Sequence, residues 1–169
     1  FKEAKALGIH TRPVLIGPVT YLVLGKAKSE GLDPLSLLDA LLPVYAELLA
    51  ELKTAGADWV QMDEPILALD LTQPQRRALR LAYKHLAPHA PKIMIASYFG
   101  TYGDNLSVAA DLPVQGHHVD AVRGWAEVDK LLSALPAERT LSLGVVDGRN
   151  VWRTNLWGAF EIIERAMKA

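Results

Sequence analysis

The chain has 169 residues, half of them apolar, a formal net charge of −1 at pH 7 and no cysteine. Its length suffices for one compact domain, and a near-zero charge offers no basic surface for nucleic acid. Without cysteine the chain has no disulfide, no cysteine-bound zinc and no thiol nucleophile, and no run of about 20 apolar residues predicts a membrane span. We therefore expect a soluble cytoplasmic protein with no nucleic-acid or membrane partner.

The N-terminal residues predict the end of a helix followed by a strand. FKEAKALG resembles the last turn of a helix that Gly8 closes as C-cap. Phe1 is not an initiator methionine, so we expect the chain to be part of a longer one. The apolar run PVLIGPVTYL, residues 13–22, predicts the first strand, with Thr20 and Tyr21 at its polar end.

A long helix is predicted after this strand. Asp33 and Pro34 are typical of the N-cap and first position of a helix. The leucines that follow recur at helical spacing on one face until Gly56, which ends the pattern.

Four more pairs of strand and helix follow in the sequence. The helices are predicted to begin near Thr72, Asp104, Trp125 and Asn155, after strands at residues 58–66, 92–99, 114–122 and 140–148. The strands are continuously apolar, as strands of a parallel sheet covered on both faces must be. Five consecutive βα units predict either a doubly wound sheet or a partial (β/α)8 barrel.

The partial (β/α)8 barrel is the favoured fold. Polar residues gather where the strands end, as they do on the rim of a barrel that carries a site. No GxGxxG or GxxxxGK[ST] motif follows a strand, which argues against a nucleotide-binding sheet. Five units cannot close a barrel, so three strands must lie outside this chain, or a second copy must cover the open edges.

The segment WVQMDEP, residues 59–65, places two carboxylates side by side at a strand end. Successive strand residues point to opposite sides, so Asp63 and Glu64 cannot both face one ligand. One of them is predicted to be structural and to cap the next loop. The other interpretation is that Asp63, two residues beyond Gln61 on one face, binds an amine or hydroxyl at the rim.

Two other motifs carry candidate groups. In GHHVD, residues 116–120, His118 and Asp120 share a side, but no further ligands converge with them and a metal site is not predicted. In VVDGRNVWR, residues 145–153, Arg149 and Arg153 are suited to hold a carboxylate or phosphate. Alternatively, Asp120 or Asp147 neutralises these two arginines.

The residues predicted to face a cleft or substrate are the polar ones at the strand ends. They are Asp63, Glu64, Tyr98, Asp120, Arg123, Arg149, Asn150 and Arg153.

Several of these motifs together resemble the cobalamin-independent methionine synthase family. They are GPVTYL at 17–22, WVQMDEPIL at 59–67, SYF at 97–99 and GVVDGRNVWR at 144–153, of which the last is typical of the N-terminal half. The resemblance implies two face-to-face barrels and methyl transfer from 5-methyltetrahydrofolate polyglutamate to homocysteine. It also implies that residues 1–169 form a single domain containing strands three to seven of the N-terminal barrel.

The departures from the family indicate a non-catalytic segment. The resemblance places zinc in the C-terminal barrel on one His, two Cys and one Glu, whereas this chain has Ser97, Tyr98 and Phe99 at the matching strand end. We expect no catalytic residue, metal or cofactor on this chain, and no activity alone. Its implied partner is the C-terminal barrel. The family's basic residues for the folate tail lie upstream of Phe1, so the tail should bind weakly or not at all.

Other interpretations remain open at this point. A standalone module could bind an anion through Arg149, Arg153 and Lys26 at a rim completed by dimerisation. A barrel enzyme of the uroporphyrinogen decarboxylase type would need no metal, but it explains GPVT less well and DGRNVWR not at all. In either case an open parallel sheet has unpaired edges and an exposed apolar face, so we expect self-association.

Overall fold

The computed structural model describes residues 1–168 and shows parallel strands alternating with helices. The strands are β1 (Val14–Ile16), β2 (Trp59–Asp63), β3 (Lys92–Ala96), β4 (Gly116–Asp120) and β5 (Thr140–Gly144). The helices are α1 (Lys2–Ala6), α2 (Pro18–Leu24), α3 (Leu38–Thr54), α4 (Gln73–Leu86), α5 (Leu106–Asp111), α6 (Val128–Ala134) and α7 (Leu156–Lys168). Short 3₁₀ turns cover Pro34–Leu37, Pro65–Ala68, Gly103–Asn105 and Trp125–Glu127.

The five strands form one sheet in the order β1-β2-β3-β4-β5, and every neighbouring pair is parallel. A doubly wound sheet reverses its strand order at a switch point, whereas barrel strands follow one another in sequence. The observed order therefore confirms the predicted partial barrel. The register aligns Ile16, Asp63, Ala96, His118 and Ser142 across the sheet.

The two faces of the sheet are covered differently. The outer face packs on the helices, and Met62, Ile93 and Ile95 there are almost completely buried. On the inner face Val14 and Ile16 are each 55% exposed. The apolar core thus lies mainly between the sheet and the helices. Within the described residues the inner face is open at β1, whereas Met94 and Ala96 of β3 are buried on that same face.

The first strand is shorter than predicted, and this changes the position of two candidate rim residues. β1 ends at Ile16 and α2 begins at Pro18, so Thr20 and Tyr21 lie in a helix. The prediction of a strand over residues 13–22 was wrong beyond Ile16. Pro18 occupies the first turn of α2, where its fixed φ favours a helix and its missing N–H costs no hydrogen bond.

The other predicted strands also end earlier in the structure. β2 stops at Asp63 because Pro65 starts a 3₁₀ turn. The remaining three strands stop two to four residues before the predicted ends at 99, 122 and 148. Tyr98, Arg123 and Asp147 therefore lie in loops after their strands. Loops can turn side chains in directions that strand alternation does not predict.

The predicted helix boundaries are confirmed at three places. The Asp33 carboxylate accepts a hydrogen bond from the backbone N–H of Leu35 at 3.0 Å. Thr72 and Gln75 form a reciprocal capping box at the start of α4. Gly8 follows α1 with φ of +75°, the left-handed conformation that a residue after a helix often adopts.

The last unit packs least. No residue of α7 is buried, and Leu156 and Phe160 are 65% and 56% exposed. A gap of about 440 Å³ separates α7 from α6 and β5.

No helix within residues 1–168 is long and apolar enough to cross a membrane.

Candidate functional site at the carboxyl ends of the strands

Asp63 lies at the end of β2 and faces the inside of the curved sheet. Its Oδ1 accepts a hydrogen bond from Gln61 Nε2 at 2.7 Å, and its Oδ2 accepts one from the Tyr98 hydroxyl at 3.2 Å. Burial is the main cause that raises the pKa of Tyr98, and the nearby Asp63 charge adds to it. Asp63 is therefore held by neutral donors, and within residues 1–168 no arginine forms an ion pair with it.

Glu64 points to the other side of the sheet and is completely buried. Its Oε2 accepts a hydrogen bond from the backbone N–H of Thr20 at 2.8 Å, and its Oε1 accepts one from the Tyr83 hydroxyl at 3.1 Å. The carboxylate thus joins the first turn of α2 to α4. Glu64 was predicted among the cleft-facing residues, but the structure buries it on the helix side of the sheet. The predicted cap of the next loop is not formed either, because the Glu64 side chain makes no cap hydrogen bond to the 3₁₀ turn that follows.

The close approach of Glu64 explains the glycine that precedes α2. A Cβ on Gly17 would lie 2.1 Å from Glu64 Cδ, far inside van der Waals contact. The segments GPVT and DEP are therefore two halves of one buried contact. The sequence contains both segments but gives no sign that they touch.

Burial raises the pKa of Glu64 to about 7. Hydrogen bonds from Thr20, Tyr83 and the backbone of Val19 act in the opposite direction and favour the ionised form. The group consequently titrates near neutral pH. Because it is sealed from solvent, this titration affects the stability of the fold and not a substrate.

Asp120 organises the loops after β3 and β4. It accepts backbone hydrogen bonds from Phe99, Val122 and Arg123 at 3.0–3.1 Å, and its Oδ2 lies 3.2 Å from Arg123 Nη1. Burial raises the pKa of Asp120, but the hydrogen bonds from Arg123, Phe99 and Val122 outweigh it and the pKa is lowered. Asp120 is therefore an ionised acceptor that fixes both loops.

Arg123 connects Asp120 with the loop after β5. Arg123 Nη2 lies 3.7 Å from Asp147 Oδ1. Asp147 also accepts hydrogen bonds from the backbone N–H of Arg149 at 3.0 Å and from Asn150 Nδ2 at 2.9 Å. The Arg149 backbone hydrogen bond is the main cause that lowers the pKa of Asp147. The two aspartates are thus engaged by Arg123, and neither forms an ion pair with Arg149 or Arg153.

Within residues 1–168, Phe99 is the one residue other than glycine that has a positive φ. Its φ is +75°, and its side chain is 57% exposed. Its backbone N–H donates a hydrogen bond to the Asp120 carboxylate, and its ring packs edge-on against Tyr98 with ring centroids 4.7 Å apart. The Arg149 guanidinium carbon lies 5.2 Å from the centre of the Phe99 ring.

The loop from Asp147 to Arg153 is held by its own short polar side chains. Besides the two hydrogen bonds to Asp147, the Asn150 side chain accepts one from the backbone N–H of Trp152 at 2.9 Å. Arg153, Trp152 and Asn150 line an open groove of about 650 Å³ between this loop, Trp125 and α7. Trp152 is 80% exposed.

The adjacent histidines point to opposite sides, as the strand alternation predicts. His117 is buried on the helix side, with Nε2 2.9 Å from the Ala109 carbonyl oxygen. His118 lies on the inner face, with Nδ1 2.9 Å from Ser142 Oγ. Burial lowers the pKa of His118, and Arg12 lowers it further. Within residues 1–168 no group of three or more His, Asp or Glu side chains is placed to hold a metal ion.

Apart from the buried Glu64, the predicted candidates lie in four separate places. Asp63 and Tyr98 form a contact on the inner face, while Asp120, Arg123 and Asn150 belong to the network around Asp147. Arg149 rests on Phe99, and Arg153 lies in the groove. Lys26 follows α2 beside β1, at the opposite edge of the sheet from the loop after β5, so the structure does not bring it to Arg149 or Arg153.

Comparison with known proteins identifies the family. The family described as "Cobalamin-independent synthase, N-terminal domain" matches residues 1–169. The chain belongs to this family.

Among its relatives, the enzyme of Chelativorans sp. (strain BNC1) is 60% identical over 157 residues, which cover 92% of this chain and 20% of the relative. That of Caulobacter vibrioides is 57% identical over 166 residues, covering 97% and 21%. The Mesorhizobium japonicum relative is 58% identical over 158 residues, covering 92% and 20%. All three are named 5-methyltetrahydropteroyltriglutamate–homocysteine methyltransferase. The chain spans about one fifth of the length of these relatives.

The family assignment confirms the resemblance drawn from GPVT, DEP and DGRNVWR. Two features of the rim were not predicted from the sequence, namely the left-handed conformation of Phe99 and the pairing of Arg123 with both aspartates. Phe99 carries no local signal, because a phenylalanine before Gly100 predicts the unusual φ at the glycine. The Arg123 pairing joins loops that are 24 residues apart in sequence and cannot be read from spacing.

Proposed function

We propose that this chain is the central part of the N-terminal barrel of a cobalamin-independent methionine synthase. The observation that carries the proposal is the family match over the whole chain, together with five parallel strands in sequential order. The chain would supply strands three to seven of an eight-stranded barrel. The missing strands would come from the preceding and following parts of the same polypeptide and would pair with the free edges of β1 and β5.

The proposed reaction of the whole enzyme is the one that the relatives' names state, methyl transfer from 5-methyltetrahydropteroyltriglutamate to homocysteine. The rim with Asp63, Tyr98 and Arg149 would form the floor of a cleft that faces the catalytic C-terminal barrel. No residue of this chain is assigned a chemical step. The enzyme is proposed to act in the cytoplasm.

Zinc is proposed to lie in the C-terminal barrel. A site with two thiolate ligands needs cysteine, and the sequence has none. The possible metal-ligating atoms at the matching strand end are two hydroxyl oxygens. That of Ser97 is buried, and the Tyr98 hydroxyl donates a hydrogen bond to Asp63. These residues do not fit the zinc site of the family, so no step through the metal is derived for this chain.

An activity assay tests the non-catalytic role. The chain is incubated with zinc, homocysteine and 5-methyltetrahydropteroyltriglutamate, and methionine formation is measured. We expect no turnover above the reaction without protein. Turnover that is proportional to the concentration of the chain would disprove the proposed role.

A chimera tests the positive part of the proposal. In the Caulobacter vibrioides enzyme, the segment that matches this chain over 166 residues is replaced by this chain. We expect a folded chimera that retains methyl transfer, because the buried Gly17–Glu64 contact and the rim are supplied intact. A chimera that folds like the parent enzyme but forms no methionine would contradict the assignment.

The separate chain is proposed to self-associate. In residues 1–168 the outer edges of β1 and β5 have no pairing strand, and Val14 and Ile16 are exposed beside the first of these edges. Light scattering at tens of micromolar should give a mass well above 18.5 kDa. A monodisperse monomer at that concentration would show that the open sheet is protected in another way.

A further inference from the structure

The loop after β5 presents a cation whose hydrogen-bonding capacity is unused. Among residues 1–168 no carboxylate lies within 4.0 Å of the Arg149 guanidinium nitrogens, and the guanidinium stacks on the Phe99 ring. A guanidinium has five N–H donors in a planar fork that matches a carboxylate. The exposed donors of Arg149 therefore suit an oxyanion.

The neighbouring acids do not neutralise Arg149 because they are already engaged. Asp120 accepts hydrogen bonds from three backbone N–H groups and from Arg123. Asp147 accepts hydrogen bonds from the Arg149 backbone N–H and the Asn150 side chain, and it forms an ion pair with Arg123. Arg123 lies between the two acids and pairs with both. The rim therefore keeps Arg149 without a partner while holding two carboxylates nearby.

The platform beneath Arg149 is strained. Phe99 has φ of +75°, a conformation that a residue with a Cβ adopts only at a cost relative to glycine. Asp120 holds it there by accepting the Phe99 N–H at 3.1 Å. A glycine at this position would not be strained. We therefore infer that the chain tolerates the strain because the Phe99 ring is needed at this position. Its visible effect is to hold the guanidinium above the rim.

We propose that Arg149 on the Phe99 ring is a binding site for the carboxylate of a small ligand with an apolar body. The net charge of the rim is zero when two aspartates and two arginines are counted, namely Asp120, Asp147, Arg123 and Arg149. Binding of a singly charged carboxylate would give this group a net charge of −1, and binding of a phosphate dianion would give it −2. The rim therefore favours carboxylate over phosphate. The exposed ring of Phe99 and the adjacent Tyr98 offer an apolar surface for the body of the ligand. This site is a property of the chain itself and does not depend on the proposed methionine synthase role.

Benzoate is a suitable probe, with benzamide as a neutral ligand of the same shape and inorganic phosphate as the competing oxyanion. Binding of each compound to the chain is measured by equilibrium dialysis, which does not require a monomeric chain. We expect saturable benzoate binding, and binding of benzamide and phosphate at least tenfold weaker. Benzamide binding as tightly as benzoate would overturn the proposal, as would binding of no probe.

Variants separate the guanidinium from the general charge of the surface. Arg149→Gln should weaken benzoate at least tenfold, and Arg149→Lys should weaken it less because the charge remains while the planar fork is lost. Arg77→Gln, at an exposed arginine on α4, is the matched control and should bind benzoate as the unmodified chain does. Equal benzoate affinity of Arg149→Gln and the unmodified chain would disprove the site.

Phe99→Gly tests whether the strain serves binding. Glycine relieves the left-handed conformation and removes the platform, so the variant should unfold at a higher urea concentration yet bind benzoate several-fold more weakly. A merely structural Phe99 would leave benzoate affinity unchanged, and that result would contradict the assigned role of the ring. The Arg149→Gln comparison decides the site even where Phe99→Gly does not fold.

Discussion

The unit of β2 and α4 and the unit of β5 and α7 are built from the same pattern but reach opposite degrees of burial. Leu79 and Tyr83 on α4 are completely buried, whereas no residue of α7 is buried and Leu156 is 65% exposed. Both helices are amphipathic and both follow a parallel strand. The difference is that the unit of β2 has a neighbour on each side and that of β5 has one. At the other edge of the sheet, α3 buries Leu42 and Leu49 although β1 also pairs with only one described strand, because β2 and α4 follow it. Burial of a barrel helix therefore depends on the unit that follows it as well as on its own sequence.

Leucine truncation should show the largest contrast between the two units. Leu79→Ala opens a cavity in the closed core and should lower the free energy of unfolding by about 2–5 kcal/mol. Leu156→Ala, the same substitution on exposed α7, should change it by less than about 0.5 kcal/mol. Urea unfolding measures both. Equal losses would show that α7 is packed as tightly as α4, for instance against a second copy.

The pH dependence of stability should locate the Glu64 contact in the β2 unit. The folded-state pKa of Glu64, about 7, exceeds its ordinary value of 4.5, so the folded chain binds the proton more tightly. The resulting stabilisation is complete below pH 4.5 and is lost as pH rises through about 7, with an order of 3 kcal/mol at stake. Urea unfolding at several pH values measures this loss.

The histidines change the stability with pH in the opposite direction to Glu64. A Glu64 variant is therefore needed to separate the two contributions. Burial lowers the pKa of His117 and His118, and they add stability as pH rises toward 6.5. The loss due to Glu64 is therefore the difference between the unmodified chain and Glu64→Gln, in which it should vanish. Asp63→Asn, at the neighbouring carboxylate on the other face, should retain it. The same pH profile in Glu64→Gln and the unmodified chain would refute the assignment.

Glycine substitution should give the smallest of the three contrasts. Gly17→Ala places a methyl group against the buried Glu64 carboxyl group and should destabilise the chain by about 1–3 kcal/mol. Gly148→Ala, in the loop after β5, meets nothing within 4 Å and should cost less than about 0.5 kcal/mol. Thermal or urea unfolding distinguishes them. A tolerated Gly17→Ala would mean that Glu64 can move away from α2.

Much of the site could be predicted from the sequence where local rules apply. The opposite directions of Asp63 and Glu64, and of His117 and His118, follow from strand alternation. The end of β1 was predicted wrongly, because an apolar run containing Pro18 fits a strand and a helix equally by composition. Five candidate rim residues lie in loops, where alternation gives no direction; they are Tyr98, Arg123, Arg149, Asn150 and Arg153.

The sequence by itself determined the order of strands and helices, the parallel sheet and the family. These depend on side-chain periodicity and on caps formed between residues a few positions apart. The tertiary structure alone decided that Glu64 meets Gly17 and Thr20, and that Arg123 takes both aspartates and so leaves Arg149 on Phe99. Apart from the local Arg123–Asp120 pair, these contacts join residues about 20 to 50 positions apart, and their geometry is fixed when the strands pair and the loops meet at one rim.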